Sequence, residues 1–332
     1  MTPLSPLARG LRSPLAPALL DLSPTPGDLR ADVLAGLSSA PKRLSSKYFY
    51  DERGSQLFDE ITRQPEYDLT RVEVALLQAS MRGIRQAVGA DAHVVEYGSG
   101  SGRKTHLLLA GLACAVAYTP VEISKATLLD ATQRLAYAFP EVQMLPVCAD
   151  FTRPLPVPPS LAPAARRLVF FPGSTLGNFD TEESVELLAA MRETMGEDGR
   201  ALIGIDLLKD VADMEAAYND AAGVTAAFTL NLLARINREV GADFDRRRFA
   251  HRARFSRERS RIETAIVSRV EQRVHVAGHA FHFAAGEPIH VEISHKYTDD
   301  HFDALAARAG LRVAQRWNAP GERFGLRLLE PL

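Results

Sequence analysis

Val94-Val-Glu-Tyr-Gly-Ser-Gly-Ser-Gly-Arg-Lys-Thr105 is a short apolar run that breaks into glycines and then enters a helical pattern. It reads as strand, turn, helix. Val94 and Val95 are β-branched, Gly98, Gly100 and Gly102 permit a tight turn with close backbone approach, and Thr105-His-Leu-Leu-Leu-Ala-Gly-Leu112 can start a helix. The open N–H groups of that helix favour anions, and the missing side chains let an adenosine-bearing cofactor lie against the backbone. The dinucleotide fingerprint is absent, because Gly98-x-Gly100-x-Gly102 lacks the G-x-G-x-x-G spacing that carries a pyrophosphate. A phosphate-binding Walker loop also fails, since Arg103 precedes Lys104-Thr105 where that motif needs a glycine.

The next two strands narrow the choice. Cys114-Ala-Val-Ala-Tyr-Thr-Pro-Val-Glu122 ends in one carboxylate at the distance past the turn where an acid accepts hydrogen bonds from ribose hydroxyls, which makes Glu122 that acid. Val142-Gln-Met-Leu-Pro-Val-Cys-Ala-Asp150-Phe151 ends in an acid and an aromatic, a pairing suited to an adenine's exocyclic amine and ring face. Glycine turn, ribose acid and adenine pair together point to S-adenosylmethionine, and favour a methyltransferase over a bare structural α/β domain.

Composition bounds the rest. A chain of 332 residues suggests two domains or one large domain with an insertion. Its 39 basic and 41 acidic residues nearly balance, at a net charge of −2, so nothing electrostatic argues for nucleic acid and a small-molecule substrate is expected. The one basic cluster, Arg246-Arg-Arg248 with Arg252, Arg254, Arg257, Arg259 and Arg261, reads as a solvated helix face or a local ion-pair network. Cys114 and Cys148 both fall in buried-looking runs, which argues for reduced core thiols in a cytoplasmic protein. No apolar stretch approaches the roughly twenty residues of a membrane helix, and no signal-type apolar core is present. His275, His279 and His282 fall on opposite faces of a strand-like run without a further ligand, so no metal site is expected. A monomer is expected.

In chain order, prolines at 3, 6, 14, 17, 24 and 26 make residues 1–27 a largely extended or disordered tail, and Asp28 to Gly36 a short helix. Lys47 to Arg71 is dense in aromatics. A helix over Gly54 to Arg63 accounts for Leu57 and Ile61, whereas Tyr48, Phe49, Tyr50 and Tyr67 suit an aromatic lid over a charged sulfonium. Thr70 is placed to cap a helix from Val72 to Ala87. After the glycine turn the order is β, α, β, α, β, with Pro154 to Pro163 a loop. Arg167 to Phe171 is a fourth strand, Asp180 or Thr181 caps a helix to Met195, and Arg200 to Asp206 is a fifth strand. This order implies a parallel, doubly wound sheet, with Pro172-Gly-Ser-Thr-Leu-Gly-Asn178-Phe179 at a strand end where ligands bind. Past Asp206 the pattern changes: Asp213 to Glu239 reads as one long helical stretch, and Ile262 to Lys296 as antiparallel strands with a turn at Gly286-Glu-Pro288. Residues 298–314 return to a helix and 312–330 supply a last hairpin. The fold expected is therefore α/β, a Rossmann-like class I methyltransferase domain over 72–206 plus 298–332. A second α/β domain, formed by the N-terminal segment 28–71 and the insertion 207–297, holds the substrate.

Several motifs in order resemble one family. Lys47-Tyr-Phe-Tyr-Asp-Glu-Arg-Gly-Ser-Gln-Leu-Phe58, Pro65-Glu-Tyr-Asp-Leu-Thr-Arg71, Tyr97-Gly-Ser-Gly100, Gly173-Ser-Thr-Leu-Gly-Asn-Phe179, Ala217-Tyr-Asn-Asp-Ala-Ala-Gly-Val-Thr225, Ile236-Asn-Arg-Glu239 and Glu292-Ile-Ser294 resemble the histidine Nα-methyltransferases of the ergothioneine pathway. The resemblance runs from about residue 40 onward. It implies trimethylation of the histidine α-amine to hercynine by three S-adenosylmethionine molecules in succession. It also implies that Tyr50, Gly98, Lys104, Glu122, Asp150 and Phe151 contact the cofactor, with Glu122 standing where the family commonly has Asp. Asn178 and Tyr218 resemble the pair that holds the substrate carboxylate; Glu292 and Ser294 resemble the pair that grips the imidazole, with Tyr67 nearby. Gly173, Thr175 and Phe58 resemble the groups around the α-amine, so that Tyr50, Gly173 and Thr175 stand closest to the reaction. The segment Arg261-Ile-Glu-Thr264 resembles one that carries a methionine near the imidazole, and a threonine in the pocket wall opens the alternative of another aromatic amino acid.

These roles are chemically coherent. An amide and a phenol bond a carboxylate without setting a second full charge beside a sulfonium, and Glu292 accepts from a ring N–H and can favour a protonated imidazole. Methyl transfer needs little acid–base equipment, so positioning and desolvation of an unprotonated amine carry most of the acceleration. Competing readings are a non-catalytic amino-acid or adenosine-binding protein, which the full set Tyr50, Asn178, Tyr218, Glu292 and Ser294 argues against. Methylation of protein or RNA fits poorly with a pocket roofed by an inserted domain.

Overall fold

The structure is a computed structural model that describes residues 19–22, 28–100, 102–153 and 155–332. The tail expected over 1–27 lies outside the described residues except at 19–22, where Leu20–Asp21 forms strand β1. Then come helices α1 (Leu29–Ser38), α2 (Glu52–Ile61) and α3 (Leu69–Val88). Strand β2 (Ala92–Tyr97), α4 (Arg103–Gly111), β3 (Ala115–Glu122) and α5 (Lys125–Ala138) follow. The third run splits into β4 (Gln143–Met144) and β5 (Val147–Cys148), because Pro146 has no N–H to continue a ladder. Next are β6 (Arg166–Phe171), α6 (Thr181–Met195) and β7 (Arg200–Asp206).

These strands form a sheet in the order β1, β5, β3, β2, β6, β7, with β4 beside β3, and every pairing among them is parallel. The period-two alternation of β2 explains both of its cores. Val95 and Tyr97 point to one face and pack with Leu187, Leu188 and Met191 of α6; Val94 points to the other, with Leu76 and Leu77 of α3 and Leu108 of α4. Because the chain steps to β3 on one side of β2 and to β6 on the other, the ends of β2 and β6 flank the crevice where open α/β sheets bind ligands.

Beyond β7 lie α7 (Val211–Ala216), α8 (Val224–Val240) and the strands β8 (Phe249–Ser256), β9 (Arg261–Ser268), β10 (Gln272–Val276), β11 (His279–Phe283) and β12 (Pro288–His295). β12, β9 and β8 make an antiparallel sheet, and β10 pairs with β11. Their core is shared with the N-terminal segment: Val33, Leu37, Leu57 and Ile61 pack with Phe228, Leu232, Ile266 and Ile289. Helix α9 (Asp299–Arg308) and the hairpin β13 (Leu311–Asn318) and β14 (Phe324–Pro331) then return to the main sheet, β14 pairing antiparallel with β7.

Several expectations are corrected. Thr70 lies inside α3 and caps nothing; Asp68 precedes the helix, and its carboxylate is drawn 2.6 Å from Arg323 instead of onto the helix N–H groups. The mostly helical stretch expected over Asp213 to Glu239 is two helices, α7 and α8, parted before Gly223, at φ 72°, where Asp220 takes the N–H groups of Val224 and Thr225 at 2.7 Å each. The basic cluster is no helix face: Arg252 and Arg254 lie on β8, while Arg259 and Arg261 both pair with Glu263. Cys114 is exposed, held at φ 112° in the turn before β3, whereas Cys148 is buried. Helix α9 stops at Arg308, and Gly310, at φ 72°, turns the chain into β13.

Candidate active site

The glycine turn follows the end of β2 as the sequence requires. Gly98, Gly100 and Gly102 have φ of 73°, 46° and 73°, a region that penalises any side chain. Around it the donor and acceptor count is open. Ser99 is 4% exposed and its hydroxyl has no partner, an orphan that a bound ligand would satisfy. Glu122 Oε1 accepts from Ile123 and Ser124 N–H at 2.9 and 3.2 Å, the Gly100 N–H also favours its charged form, and burial raises its carboxyl above the usual value. Asp150 Oδ1 is taken by Thr152, while Phe151 stacks on Tyr97 with centroids 5.7 Å apart and lies 3.6 Å from where a Cβ on Gly98 would stand. Turn, diol acceptor, exposed acid and flat ring therefore fit an adenosine group.

On the other side of β2, the turn after β6 is locked. Gly173 N–H donates to Glu73 Oε1 at 2.8 Å, and Thr175 Oγ1 donates to the Pro172 carbonyl at 3.1 Å, so one peptide plane is held from both sides. Glu73 Oε2 accepts from Lys104 Nζ at 2.5 Å. Glu73 is 2% exposed and stands on α3, yet it bonds residues of α4 and of the β6 turn. Gly173, at φ 86°, has no room for a side chain beside Lys104 Nζ, 3.2 Å from the Cβ position.

The wall facing this turn comes from the antiparallel sheet and the N-terminal segment. Tyr50 packs edge-on to Phe58 and Phe228 at 5.7 Å each, and Phe58 meets Tyr67 at 6.3 Å. Tyr50 keeps 50% of its surface open although protein surrounds it, as a residue lining a cleft does. Burial first, then the nearby Glu292 carboxylate and Tyr218, push the Tyr50 phenol well up; burial does the same to Tyr67. Glu292 is pushed up to about 7 by burial, with Lys296 and the Thr264 hydroxyl holding it lower than it would otherwise be. No ion pair holds Glu292 among the described residues, and Thr264, its direct cross-strand neighbour, is 1% exposed, with a hydroxyl near enough to favour the charged carboxylate without meeting hydrogen-bond geometry.

Ser294 and Lys296 are differently engaged. Lys296 Nζ lies 2.7 Å from Asp206 Oδ2 at the end of β7, with side-chain exposures of 0% and 1%. It also donates to Ser294 Oγ at 2.9 Å and to the Tyr218 hydroxyl at 3.2 Å, while Tyr218 donates to Ser294 at 2.8 Å. Glu292 and Lys296, four residues apart along the chain, thus form no salt bridge with each other. The 3-10 turn Thr175–Asn178 packs directly on β12, since a Cβ on Gly177 would stand 3.0 and 3.1 Å from the His295 backbone. Asn178 is exposed beside this junction. Gly177→Ala should force the turn off β12 and cost roughly 1–3 kcal/mol, read as a lowered melting temperature; an unchanged melt would show that the contact yields freely.

Three groups result. Gly98, Glu122, Asp150 and Phe151 gather at the β2, β3 and β5 ends; Tyr50, Phe58, Tyr67, Tyr218, Glu292 and Ser294 gather on the wall of the antiparallel sheet and N-terminal segment; Gly173, Thr175 and Asn178 belong to the turn after β6, with Lys104 beside Gly173. Tyr50 packs with the second group only. Glu73 and Phe228 escaped the sequence reading, as did the pairing of Asp206 with Lys296. Glu73 had a signal, because it sits on the same stripe as Leu69, Leu76, Leu77 and Ser80, where a charge is costly. His275 and His282 pair with Asp243 and Glu271, and the described residues hold no cluster of three or more metal-ligating side chains.

A family model described as histidine-specific, S-adenosylmethionine-dependent methyltransferase matches residues 29–331. The histidine N-alpha-methyltransferase of Mycolicibacterium smegmatis is 41% identical over 90% of this chain and 94% of its own. The enzyme of the same name from Mycobacterium tuberculosis is 38% identical with the same coverage. Ergothioneine biosynthesis protein 1 of Neurospora crassa is 27% identical over 87% of this chain, which spans 33% of that longer protein.

Proposed function

We infer that this chain, which belongs to the histidine-specific, S-adenosylmethionine-dependent methyltransferase family, methylates the α-amine of L-histidine for ergothioneine synthesis and carries it through to the trimethylated product hercynine. It is an amino-acid N-methyltransferase whose cofactor is S-adenosylmethionine. The observation that carries the histidine reading is Glu292: a deep carboxyl without an ionic partner, among the aromatic rings of Tyr50 and Tyr67, is a costly arrangement unless a ligand N–H completes it.

Bound S-adenosylmethionine supplies an electrophilic methyl group on a sulfonium. Glu122 holds the ribose hydroxyls, Asp150 and Phe151 the adenine, the turn at Gly98 the backbone contact, and Lys104 the amino-acid end. Thr175 is fixed as a donor to the Pro172 carbonyl, so its open side presents lone pairs only. That side accepts an N–H from the substrate amine, beside Gly173 and Phe58, and thereby orients the nitrogen lone pair. Tyr50 closes the gap as an aromatic face toward positive charge. Asn178 and Tyr218 take the carboxylate, and Glu292 and Ser294 the imidazole, with Tyr67 alongside. Thr264 stands directly across from Glu292 and is 1% exposed, which speaks against a wall open enough for the aromatic-amino-acid alternative.

The division of labour follows residues 28–71 plus 207–297 for substrate and 72–206 plus 298–332 for cofactor. The working unit is a monomer acting on a free amino acid without nucleic acid, and a cytoplasmic setting agrees with two free cysteines. No described helix is long and apolar enough to cross a membrane. Mass spectrometry of the purified protein with S-adenosylmethionine and each of the twenty amino acids tests the reading. Histidine should gain up to three methyl groups and be preferred over phenylalanine and leucine by roughly a hundred-fold or more, because a site built to bond a substrate N–H rejects analogues without one. Preference for another amino acid overturns it.

A further inference from the structure

Asn178 and Tyr218 are neutral, yet the carboxylate assigned to them enters a cleft where an uncompensated charge is expensive. A cation stands one hydrogen bond behind. Lys296 is fully enclosed, and its three N–H groups are all committed: to Asp206 Oδ2 at 2.7 Å, to Ser294 Oγ at 2.9 Å and to the Tyr218 oxygen at 3.2 Å. The ammonium also lies 4.9 Å from the centre of the Tyr218 ring. Its counter-ion is shared, because Asp206 Oδ1 is 2.6 Å from Lys209 Nζ. Two ammonium groups share that one carboxylate, Glu292 is the further acid that feels Lys296, and the hydroxyls of Tyr218 and Ser294 are the groups through which Lys296 reaches the cleft.

We propose that Lys296 is the positioning residue that makes the acceptor site select a free α-carboxylate, acting through the hydroxyls of Tyr218 and Ser294. The inference rests on the reading of Tyr218 as a carboxylate contact and says where the charge for that contact comes from. A hydroxyl oxygen that accepts from an ammonium becomes a better donor. Tyr218 gives its one proton to Ser294 Oγ at 2.8 Å here, so it serves a carboxylate by turning that proton to the incoming ligand, while the Ser294 proton is already uncommitted. The same charge opposes an imidazolium at Ser294, so it also favours substrate with a neutral ring, in place of the protonated ring that Glu292 alone would favour. The class recognised is therefore the free amino acid. An amide or a peptide-linked histidine lacks the anion this corner is charged to receive.

The alternative is that Lys296 only pins β12 to the end of β7. Histidine and histidinamide separate the two accounts, because they differ at the carboxylate alone. The parent protein should prefer histidine in kcat/KM by roughly a hundred-fold, and Lys296→Met should remove most of that preference by raising KM for histidine roughly ten- to a hundred-fold, the usual loss of a bond to a charged group. KM for histidinamide and the binding of S-adenosylhomocysteine, measured by calorimetry, should stay near the parent's values. The variant Lys296→Gln keeps N–H donors for Ser294 and Asp206 without the charge, leaves the Asp206–Lys209 pair in place and should show the same loss, which guards against a Lys296→Met protein that fails to fold. A folded variant that binds S-adenosylhomocysteine and keeps the parent's histidine preference overturns the proposal and leaves Lys296 a structural pin. A parent protein that methylates both acceptors equally overturns the carboxylate reading itself, and the proposal with it.

Discussion

Glu73→Ala should lower the melting temperature sharply and reduce turnover by roughly a hundred-fold or more, with KM for S-adenosylmethionine raised more than KM for histidine. The carboxylate is nearly inaccessible and both of its oxygens are used, one by the Gly173 N–H and one by Lys104. Removing it strands an ammonium and a backbone donor at once, and breaking a buried pair by deleting one partner costs about 3–5 kcal/mol. The kinetic loss has a separate origin. Lys104 would no longer be aimed, and the Pro172–Gly173 peptide would be held only by Thr175, so the contacts meant for the cofactor's amino-acid end and for the amine would both loosen. Glu73→Gln keeps an acceptor for Gly173 but turns an N–H₂ toward Lys104, and should fall between. Thermal melts and steady-state kinetics on both variants decide the matter. A folded Glu73→Ala protein with the parent's kinetics would mean that Lys104 and Gly173 hold their places unaided.

The second large effect is on pH. Burial, the largest cause, pushes Glu292 up to about 7, so the carboxyl accepts from an imidazole N–H only as pH rises through that value. KM for histidine should therefore drop between about pH 6 and 8, and Glu292→Gln should raise KM and flatten this limb of the profile. Stability runs the other way. A carboxyl that binds its proton more tightly folded than unfolded gives stability that is present at low pH and lost as pH climbs from the unfolded value toward about 7. Glu96, buried beneath α4 and also pushed up to about 7 by desolvation, adds in the same sense. Glu292→Gln should thus be neutral or stabilising at pH 8, by up to about 3 kcal/mol, while it harms histidine binding. A variant with a pH profile of KM like the parent's would assign the imidazole to other groups.

How much of this could be read from residues alone varied with the range of the interaction. Local signals were legible: β-branched pairs before glycines gave β2 and its turn, and of the two caps expected before α6 it is Asp180 that serves, in a reciprocal pair with Glu183 that was not foreseen. Strand β8 was not, because Phe249-Ala-His-Arg-Ala-Arg-Phe-Ser256 buries only Phe249 and Ala253, and its arginines read as a solvated face. Lys296 was seen as the neighbour of Glu292 on one strand face, but its partner Asp206 lies on another sheet. Alternation along a strand says which side chains share a face, never which distant strand end that face meets. Phe228 was hidden for the same reason, one apolar residue in an apolar helix whose neighbours Tyr50 and Phe58 come from far up the chain.

The segment that leaves the main sheet after β7 comes back beside its own point of departure: Tyr297 N–H donates to the Asp206 carbonyl at 2.9 Å, and Leu208 N–H to the Tyr297 carbonyl at 2.9 Å. Exit and return share one doorway, so the parts of the segment away from the contacts of His295 and Lys296 can vary in length without pulling the parallel strands apart. In evolutionary terms the cap is a cartridge. A chimaera joined at Leu207 and Tyr297, with the matching N-terminal segment exchanged alongside, would inherit the methyl-donor half unchanged and take its choice of acceptor from the donor of the cap.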